Sequence, residues 1–477
     1  MTIASVSHID YDTTPENLSA AQAEFSALLG PDNIDEDQET CVAHSGSRFA
    51  SADSAHKPSL VLYPKHTEHV SSILKICSKR CIPVVSYSGG TGLSGALAAP
   101  HGGICIDFKD MAKIWDLHET DMDVTVQPGV GWMQLNAELA GKGFFFPPDP
   151  APDARIGGMI AMGCSGTNAY RYGTMKDWVV SLTVVLADGT IVKTGNRPRK
   201  SSAGYDLTHL IVGSEGTLGI VTEAVLRLTP IPKNPHVAIL TFSDTHLAVE
   251  TALSIATSGA VFDALEFVDQ SSLEVVNQSG LFEDRWAEYP TLFLRFSGDE
   301  ATTQAHSALI KSLSERNKCL DVKISSDPEQ VDAWWNVRKL MGKCLIMSMK
   351  PGDIFLASDA AVPRSRLADI IVETQEATAD VGLFCSTLGH IGDGNVHVAF
   401  VCPQELRAKG EQLIQDVQRR ALRMEGTITG EHGVGLSLRD MLIEEVGSGG
   451  VDMMRNIKLS LDPKGILNPE KIFRIQA

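Results

Sequence analysis

The sequence predicts an α+β protein with more than one domain. Its 477 residues suffice for about two or three domains of ordinary size. Up to about residue 232, short apolar runs separated by turn residues indicate many strands and few long helices. Beyond that point strand-like and helix-like segments alternate, which favours a sheet covered by helices. Three prolines within residues 230–235 cannot continue a regular element, so they separate the two patterns.

Individual elements follow from the spacing of apolar residues. Helical spacing predicts a helix in the lead-in, around residues 18–28, and others at residues 67–80, 247–258, 306–315 and 405–425. Short apolar runs predict strands at residues 60–63, 83–85, 104–106, 124–126, 182–186, 191–192, 237–242, 292–296 and 320–324. The glycine-rich residues 447–450 predict a loop. These patterns divide the chain into a lead-in (1–55), a first domain (56–232) and a second domain (233–477).

Composition and charge exclude several classes of protein. The formal charge of −18 argues against a nucleic-acid partner, because phosphate binding needs a basic surface. No apolar run approaches the ~20 residues that a membrane-spanning helix requires. Nine scattered cysteines without a CxxC pair fit reduced thiols better than a disulfide framework. The first 47 residues contain no Lys or Arg, unlike a transit peptide, so we expect a cytoplasmic protein.

Residues 88–95 form a glycine-rich loop directly after a predicted strand. Residues 90–95 match the G-x-G-x-x-G pattern of dinucleotide-binding folds. That fold needs a helix of roughly a dozen residues after the third glycine. Here Pro100 and two further glycines lead directly into the strand at residues 104–106, which leaves no room for the helix. The Rossmann interpretation therefore fails, and the exposed backbone N–H groups of the loop instead suit an anion-binding nest.

Two further runs of glycine and small residues lie in the same domain, at residues 161–169 and 213–221. Small side chains allow a ligand to approach the backbone closely. Together with the first loop, they predict a large, flat, phosphate-bearing cofactor that lies against the backbone.

A third group of motifs combines histidine, glycine and glutamate. His390 and His397 flank an Asp-Gly-Asn turn, and Glu431 and His432 stand side by side further along the chain. If strands flank the turn, it brings the two histidines close together. Two histidines and one carboxylate are a recurring catalytic metal set with an open position. The alternative is that these are satisfied core or surface histidines, which the glycine density around them disfavours.

The chain resembles known flavoproteins at these motifs. The FAD-binding domain of the vanillyl-alcohol-oxidase/PCMH flavoproteins has similar segments at residues 88–95, 156–158, 164–173 and 213–221. The C-terminal domain of the FAD-linked D-2-hydroxyacid dehydrogenases has similar segments at residues 389–397 and 430–435. Residues 171–178 and 197–207 are similar to the D-lactate dehydrogenase (cytochrome) branch. The resemblance implies a PCMH-type FAD-binding domain, then an α+β substrate domain whose C-terminal segment returns to the flavin.

The resemblance also implies which residues contact FAD. The expected cofactor-binding residues are Ser88, Gly89, Gly90, Thr91, Gly92, Leu93, Ser94, Gly95, Pro148, Gly158, Ser165, Gly166, Glu215, Gly216, Ile220 and Asn468. Residues 86–95 contain no flavin-tethering histidine, so FAD is expected to be non-covalent.

Roles in catalysis are carried over in the same way. His390, His397 and Glu431 match the divalent-metal ligands, with zinc as the expected ion, and His432 matches the catalytic base. Arg338 matches the arginine that grips the substrate carboxylate, whereas from its residue type alone it would be one more solvated helix charge. In such chemistry the base removes the hydroxyl proton, which a metal acidifies, while C2 gives a hydride to the flavin.

The expected reaction is oxidation of D-lactate to pyruvate, with cytochrome c or another acceptor receiving the electrons. Ile354 and Ala357 stand where the lactate and hydroxyglutarate branches usually carry a lysine, and the 91–95 loop is closer to glycolate-oxidase subunits. A larger 2-hydroxy acid, a glycolate-type acid and an inactive flavin-binding partner subunit therefore stay open as alternatives. A zinc hydrolase is the alternative if no flavin binds, and the family's mitochondrial address is the alternative location.

Overall fold

The computed structural model describes residues 9–47 and 54–475, which form two compact units. The first unit contains the described parts of residues 1–165, 174–231 and 431–477. The second unit contains residues 166–173 and 232–430. Residues 431–475 thus join the first unit, as expected for a C-terminal segment that returns to it. The predicted division into domains at residues 55 and 232 stays a prediction.

The helices and strands are numbered in chain order. The helices are α1 Pro15–Leu29, α2 Gln38–Ala43, α3 Thr67–Arg80, α4 Trp132–Ala140, α5 Ile156–Met162, α6 Ala169–Tyr172, α7 Met175–Trp178, α8 Leu207–Ile211, α9 Thr245–Ala256, α10 Gln270–Ser279, α11 Glu300–Arg316, α12 Pro328–Met347, α13 Leu367–Val381, α14 Arg407–Arg423 and α15 Leu442–Leu461. The strands are β1 Ile34–Asp35, β2 Leu60–Leu62, β3 Val84–Tyr87, β4 Ile104–Asp107, β5 Ile114–His118, β6 Asp123–Val126, β7 Phe144–Phe145, β8 Val179–Val185, β9 Ile191–Lys193, β10 Ile220–Arg227, β11 Thr229–Pro230, β12 His236–Thr241, β13 Ala264–Val268, β14 Thr291–Phe296, β15 Asp321–Ser325, β16 Asp353–Ser358, β17 Phe384–Gly389 and β18 His397–Pro403. The predicted helix at residues 67–80 is confirmed, and each predicted strand lies on an observed one.

The first unit contains two main sheets. One has the order β1-β2-β4-β3, in which β2, β4 and β3 run parallel. The other is antiparallel, with the order β5-β6-β10-β8-β9. Residues 88–103 connect the parallel neighbours β3 and β4, and all of them are described and non-helical. This strand–loop–strand geometry confirms that the glycine loop does not begin a Rossmann crossover helix.

The second unit is built on one antiparallel seven-stranded sheet, with the order β15-β12-β14-β13-β17-β18-β16. Successive side chains of a strand point to opposite faces, so each strand serves two apolar layers. On one face the sheet packs with α9, α11, α13 and α14. On the other face it packs with α10 and α12. The predicted sheet covered by helices is therefore confirmed, with helices on both faces.

Four successive helices of this unit begin for the same local reason. Each follows an aspartate whose carboxylate accepts a backbone N–H of the first turn, which would otherwise lack a partner. The four capping residues are Asp244, Asp269, Asp299 and Asp327. These caps fix where α9 to α12 start, and so fix which helical residues face the sheet.

The loop predicted at residues 447–450 is wrong. These residues lie within α15, which is interrupted only at Gly447, where φ is 72° and ψ is 169°. Glycine adopts this backbone conformation without strain, so the helix kinks and then continues. Val451 and Lys458 are buried, and their packing holds the second segment in the helical conformation despite its glycines.

Candidate active site

The glycine loop of the first unit is held against a segment near the C-terminus. The carbonyl of Ser94 accepts N–H bonds from Leu436 at 2.9 Å and Ser437 at 3.2 Å. Gly95 has φ of +72°, and a Cβ on Gly89 would lie 2.6 Å from the Asp153 carbonyl oxygen. Backbone crowding at Gly89 and the positive φ of Gly95 explain why these two positions are glycine rather than larger residues.

Glu215 braces the same region from within. Its side chain is buried and accepts N–H bonds from Val434 at 2.7 Å and Gly435 at 2.9 Å. Burial raises the pKa of the Glu215 carboxyl, although these two N–H groups oppose that shift. The Glu215 carboxylate thus binds backbone N–H groups of the protein. A contact of Glu215 with the cofactor, which stays a prediction, would have to come from its other atoms.

Asn468 ties the C-terminal segment to Glu215 and to β3. Its side-chain amide donates to the Glu215 carbonyl at 2.6 Å, and its backbone N–H donates to Val84 at 2.7 Å. Lys471, whose role the sequence reasoning did not identify, is 2% exposed and donates to the Ala98 carbonyl at 2.7 Å. Burial lowers the pKa of Lys471 to about 7. The C-terminal segment around residues 468–471 is therefore held beside the glycine loop by buried hydrogen bonds.

The other predicted cofactor residues have definite places, although their contacts with FAD stay predictions. Ser88 donates to the Pro128 carbonyl at 3.0 Å, and Ser165 donates to a carboxylate oxygen of Glu431 at 2.5 Å. Pro148, Gly166 and Ile220 are buried. Gly158 lies in the first turn of α5 near Ser88, and Gly216 has φ of +70°. Thr91, Gly92 and Leu93 lie in the loop with Gly90, whose φ is +64°.

Replacing Gly435 by Ala is expected to release FAD from the purified protein. Gly435 has φ of +52°, and an added Cβ would clash with the Ser94 carbonyl, so the glycine loop would have to move. The flavin-to-protein ratio measures the effect. Gly141→Ala is the control, because Gly141 has φ of −64° and no atom within 4 Å of the new Cβ. A full flavin content in Gly435→Ala would contradict the expectation.

In the second unit, β17 and β18 form the predicted hairpin around the histidine-flanked turn. Leu388 pairs with His397, so the strands close immediately before and after the turn. The turn itself is closed by the Asp393 N–H, which donates to the His390 carbonyl at 2.9 Å. The rings of His390 and His397 are 5.1 Å apart between centroids and nearly perpendicular. The expectation that this turn brings the two histidines together is confirmed.

A buried charged cluster adjoins His390. Nδ1 of His390 lies 2.8 Å from Oε1 of Glu266, and Nη2 of Arg338 lies 2.6 Å from Oε2 of the same carboxylate. Arg338 is only 6% exposed, so the alternative of a solvated helix charge is wrong. The helix α12 carries it onto the sheet face. Sequence reasoning missed Glu266, although a single carboxylate within the apolar run of residues 264–268 was a visible signal.

Glu266 does not satisfy all of the N–H donors of the Arg338 guanidinium. The Nη2 contact is a close ion pair whose angle does not make a hydrogen bond, and Nε has no hydrogen-bond partner among the described residues. A buried guanidinium with unused N–H donors is an unusual and costly arrangement unless an anion completes it. Arg338 therefore has N–H donors that Glu266 leaves without a hydrogen bond.

Glu431 and His432 belong to the first unit. Oε1 of Glu431 is 3.7 Å from Nε2 of His432. Glu431 also follows Gly430, whose N–H donates to the Asp359 carbonyl at 2.7 Å in the second unit. An added Cβ on Gly430 would clash with the side chain of Asn395, which lies between the two histidines in sequence. Gly430 is therefore packed on the histidine turn of the second unit.

Models of two protein families match the chain. The C-terminal domain of FAD-linked oxidases matches residues 231–472, and an FAD-binding domain matches residues 58–195. The mitochondrial D-lactate dehydrogenase (cytochrome) of Kluyveromyces lactis is 42% identical, over 96% of this chain and 82% of that protein. The protein of the same name from Arabidopsis thaliana is 39% identical, over 97% of this chain and 81% of that protein.

A solved structure shows the same fold at much lower sequence identity. The 4-ethylphenol oxidase from Gulosibacter chungangensis superimposes with a TM-score of 0.78 at 20% identity, covering 98% of this chain and 99% of that one.

Among the helices of residues 9–47 and 54–475, none combines the length and the apolarity needed to span a bilayer.

Proposed function

Because the chain belongs to the FAD-linked oxidase family and is an FAD-dependent oxidoreductase acting on CH–OH groups, we propose that it oxidises D-lactate to pyruvate. The observation that carries this proposal is the buried Arg338 guanidinium beside the paired His390 and His397. A 2-hydroxy acid offers a carboxylate for the arginine and a hydroxyl group on the adjacent carbon. The family matches leave the flavin-free hydrolase hypothesis without support.

The first unit would hold FAD without a covalent bond. Its loop at residues 88–95 is non-helical and rich in glycine, and such bare backbone would offer N–H groups to a pyrophosphate. When bound, FAD supplies the acceptor for the hydride from C2 of the substrate. The segments around Glu215 and Asn468 fix the shape of the glycine loop, so that little reorganisation accompanies binding.

His390, His397 and Glu431 would hold a divalent metal, for which zinc is the proposed ion. Glu266 engages Nδ1 of His390, which makes Nε2 the ring nitrogen that would bind the metal. Two imidazoles and one carboxylate suit zinc and leave a position for substrate. When bound, the metal supplies Lewis acidity that lowers the pKa of a hydroxyl group.

Within this site His432 would accept the hydroxyl proton at Nε2. Adjacent side chains point in different directions, so Glu431 can serve the metal while His432 faces the substrate. Arg338 would bind the carboxylate with two parallel N–H donors and so fix the orientation of C2 and its single hydrogen. The chain's own residues therefore bind, orient and deprotonate a D-2-hydroxy acid.

The electron acceptor and the location belong to the same proposal. The relatives are named as cytochrome-linked and mitochondrial, so we propose a cytochrome as acceptor and mitochondria as location. This replaces the cytoplasmic expectation, which the relatives do not support. The glycolate-type acid stays a second candidate because of residues 91–95.

Flavin bleaching under anaerobic conditions tests the proposed substrate. The purified protein should be yellow, and D-lactate should bleach it faster than L-lactate, glycolate or D-2-hydroxyglutarate. Faster bleaching by glycolate or by the larger acid would replace D-lactate as the substrate. A flavin-loaded protein that none of these acids bleaches would instead be the inactive partner subunit.

A further inference from the structure

We infer that Glu266 is a positioning residue that orients His390 and partly neutralises Arg338. One buried carboxylate would then influence both the affinity of the site for the metal and its affinity for the substrate carboxylate. This inference rests on the proposed function, and it concerns a residue to which neither the sequence nor the family resemblance assigned a role.

The strand register brings Glu266 to this place. In the antiparallel pairing of β13 with β17, Val268 faces Leu388 and Phe267 faces Gly389. The next step of the same ladder aligns Glu266 with His390, immediately beyond the end of β17. Glu266 is fully buried near the middle of a seven-stranded sheet, where an unpaired carboxylate would be strongly unfavourable.

The helix α12 supplies the second partner. Its apolar residues Val331, Trp335 and Met341 pack on the same sheet face, and Arg338 lies among them on the helix. Oε2 of Glu266 is 2.6 Å from Nη2 of Arg338 and 3.0 Å from Nδ1 of His390. Arg338 and His390 therefore share the same carboxylate oxygen of Glu266, so a movement of either side chain affects the other.

Two consequences follow from the sharing. A hydrogen bond from Nδ1–H of His390 to the Glu266 carboxylate would fix the tautomer and ring orientation of His390, which strengthens metal binding through Nε2. The negative charge of Glu266 also offsets the positive charge of Arg338, so it weakens the attraction of Arg338 for a substrate carboxylate. Removing the charge should therefore change the two affinities in opposite directions, a result that general damage to the site would not produce.

Glu266→Gln tests this directly, because glutamine keeps the shape and removes the charge. The probes are zinc alone, added to metal-stripped FAD-loaded protein, and pyruvate alone, detected by its perturbation of the oxidised flavin spectrum. We expect the zinc affinity to fall by about 10- to 100-fold. We expect the pyruvate affinity of the zinc-free protein to rise by about 3- to 10-fold, since Arg338 loses its counter-charge. Asp269→Asn is the matched control, because Asp269 lies three residues further along the chain and is almost as buried, but its carboxylate contacts Ser272, Thr387 and Gln375 instead.

Several outcomes would overturn the inference. Unchanged zinc affinity in Glu266→Gln would do so, as would a parallel fall of both affinities together with thermal stability. If Glu266→Gln does not fold, Glu266→Asp retains the charge but shortens the reach, and it should lower the zinc affinity while leaving the pyruvate affinity near that of the wild type. Unchanged zinc affinity in that variant would also overturn the inference. A wild-type protein that binds neither zinc nor pyruvate would refute the proposed function itself. If the wild type binds both and the Glu266 variants do not behave as expected, only the role inferred for Glu266 is refuted.

Discussion

His432→Asn is expected to slow flavin reduction by D-lactate by about 1,000-fold while FAD stays bound. A general base in position contributes roughly 10²- to 10⁴-fold to a rate, and asparagine cannot accept the hydroxyl proton. His432 is adjacent to Glu431 in the first unit, and its Nε2 lies 3.7 Å from Oε1 of that carboxylate. Anaerobic single-turnover measurement of flavin absorbance gives the reduction rate directly, without interference from the electron acceptor.

The matched control for this variant is His66→Asn. His66 is half-exposed on the first unit and contacts Glu68 rather than any proposed site residue. It should reduce its flavin at the wild-type rate and keep the wild-type flavin content. Retained reduction in His432→Asn would refute the assignment of the base, and loss of flavin from that variant would give His432 a role in the cofactor site instead.

Arg338→Lys is expected to weaken D-lactate binding by about 100-fold. Lysine keeps the positive charge that Glu266 requires, but it lacks the planar fork that pairs with a carboxylate through two N–H donors. Loss of a buried, charge-assisted contact costs about 2–5 kcal/mol, of which the retained charge should recover part. The dependence of the flavin reduction rate on D-lactate concentration separates affinity from the limiting rate.

We expect the apparent dissociation constant to rise more than the limiting rate falls, because Arg338 holds the substrate rather than moving a proton. Lys339→Arg serves as the control, since Lys339 is the next residue of α12 and is exposed. It should behave as the wild type. An unchanged dissociation constant in Arg338→Lys would show that the substrate carboxylate binds elsewhere.

The sequence predicted elements whose determinants are local. The helix at residues 67–80 has a regular apolar stripe, and the turn between β17 and β18 contains an Asp-Gly-Asn run, so both were correct. The absence of a crossover helix after the glycine loop was also predictable, because Pro100 and the neighbouring glycines leave no room for one.

Features that depend on tertiary packing were not predictable in this way. The charge of Arg338 gave no indication that α12 would be pressed against a sheet, since exposed and buried helix arginines look alike in sequence. The strand containing Glu266 was not predicted, although its isolated carboxylate indicated a buried partner. The four residues from Gly447 were taken for a loop because glycine lowers helix propensity, whereas packing of the flanking segments outweighs about 1 kcal/mol per glycine.

In the proposed mechanism, a divalent metal and FAD act together on a D-2-hydroxy acid at this site. The most direct test is anaerobic mixing of D-lactate with FAD-loaded protein, first stripped of metal by a chelator and then reconstituted with zinc. We expect slow bleaching of the stripped protein and rapid bleaching after zinc is restored, with His397→Ala remaining slow even in excess zinc. Equally rapid bleaching with and without metal would show that the metal takes no part in the reaction.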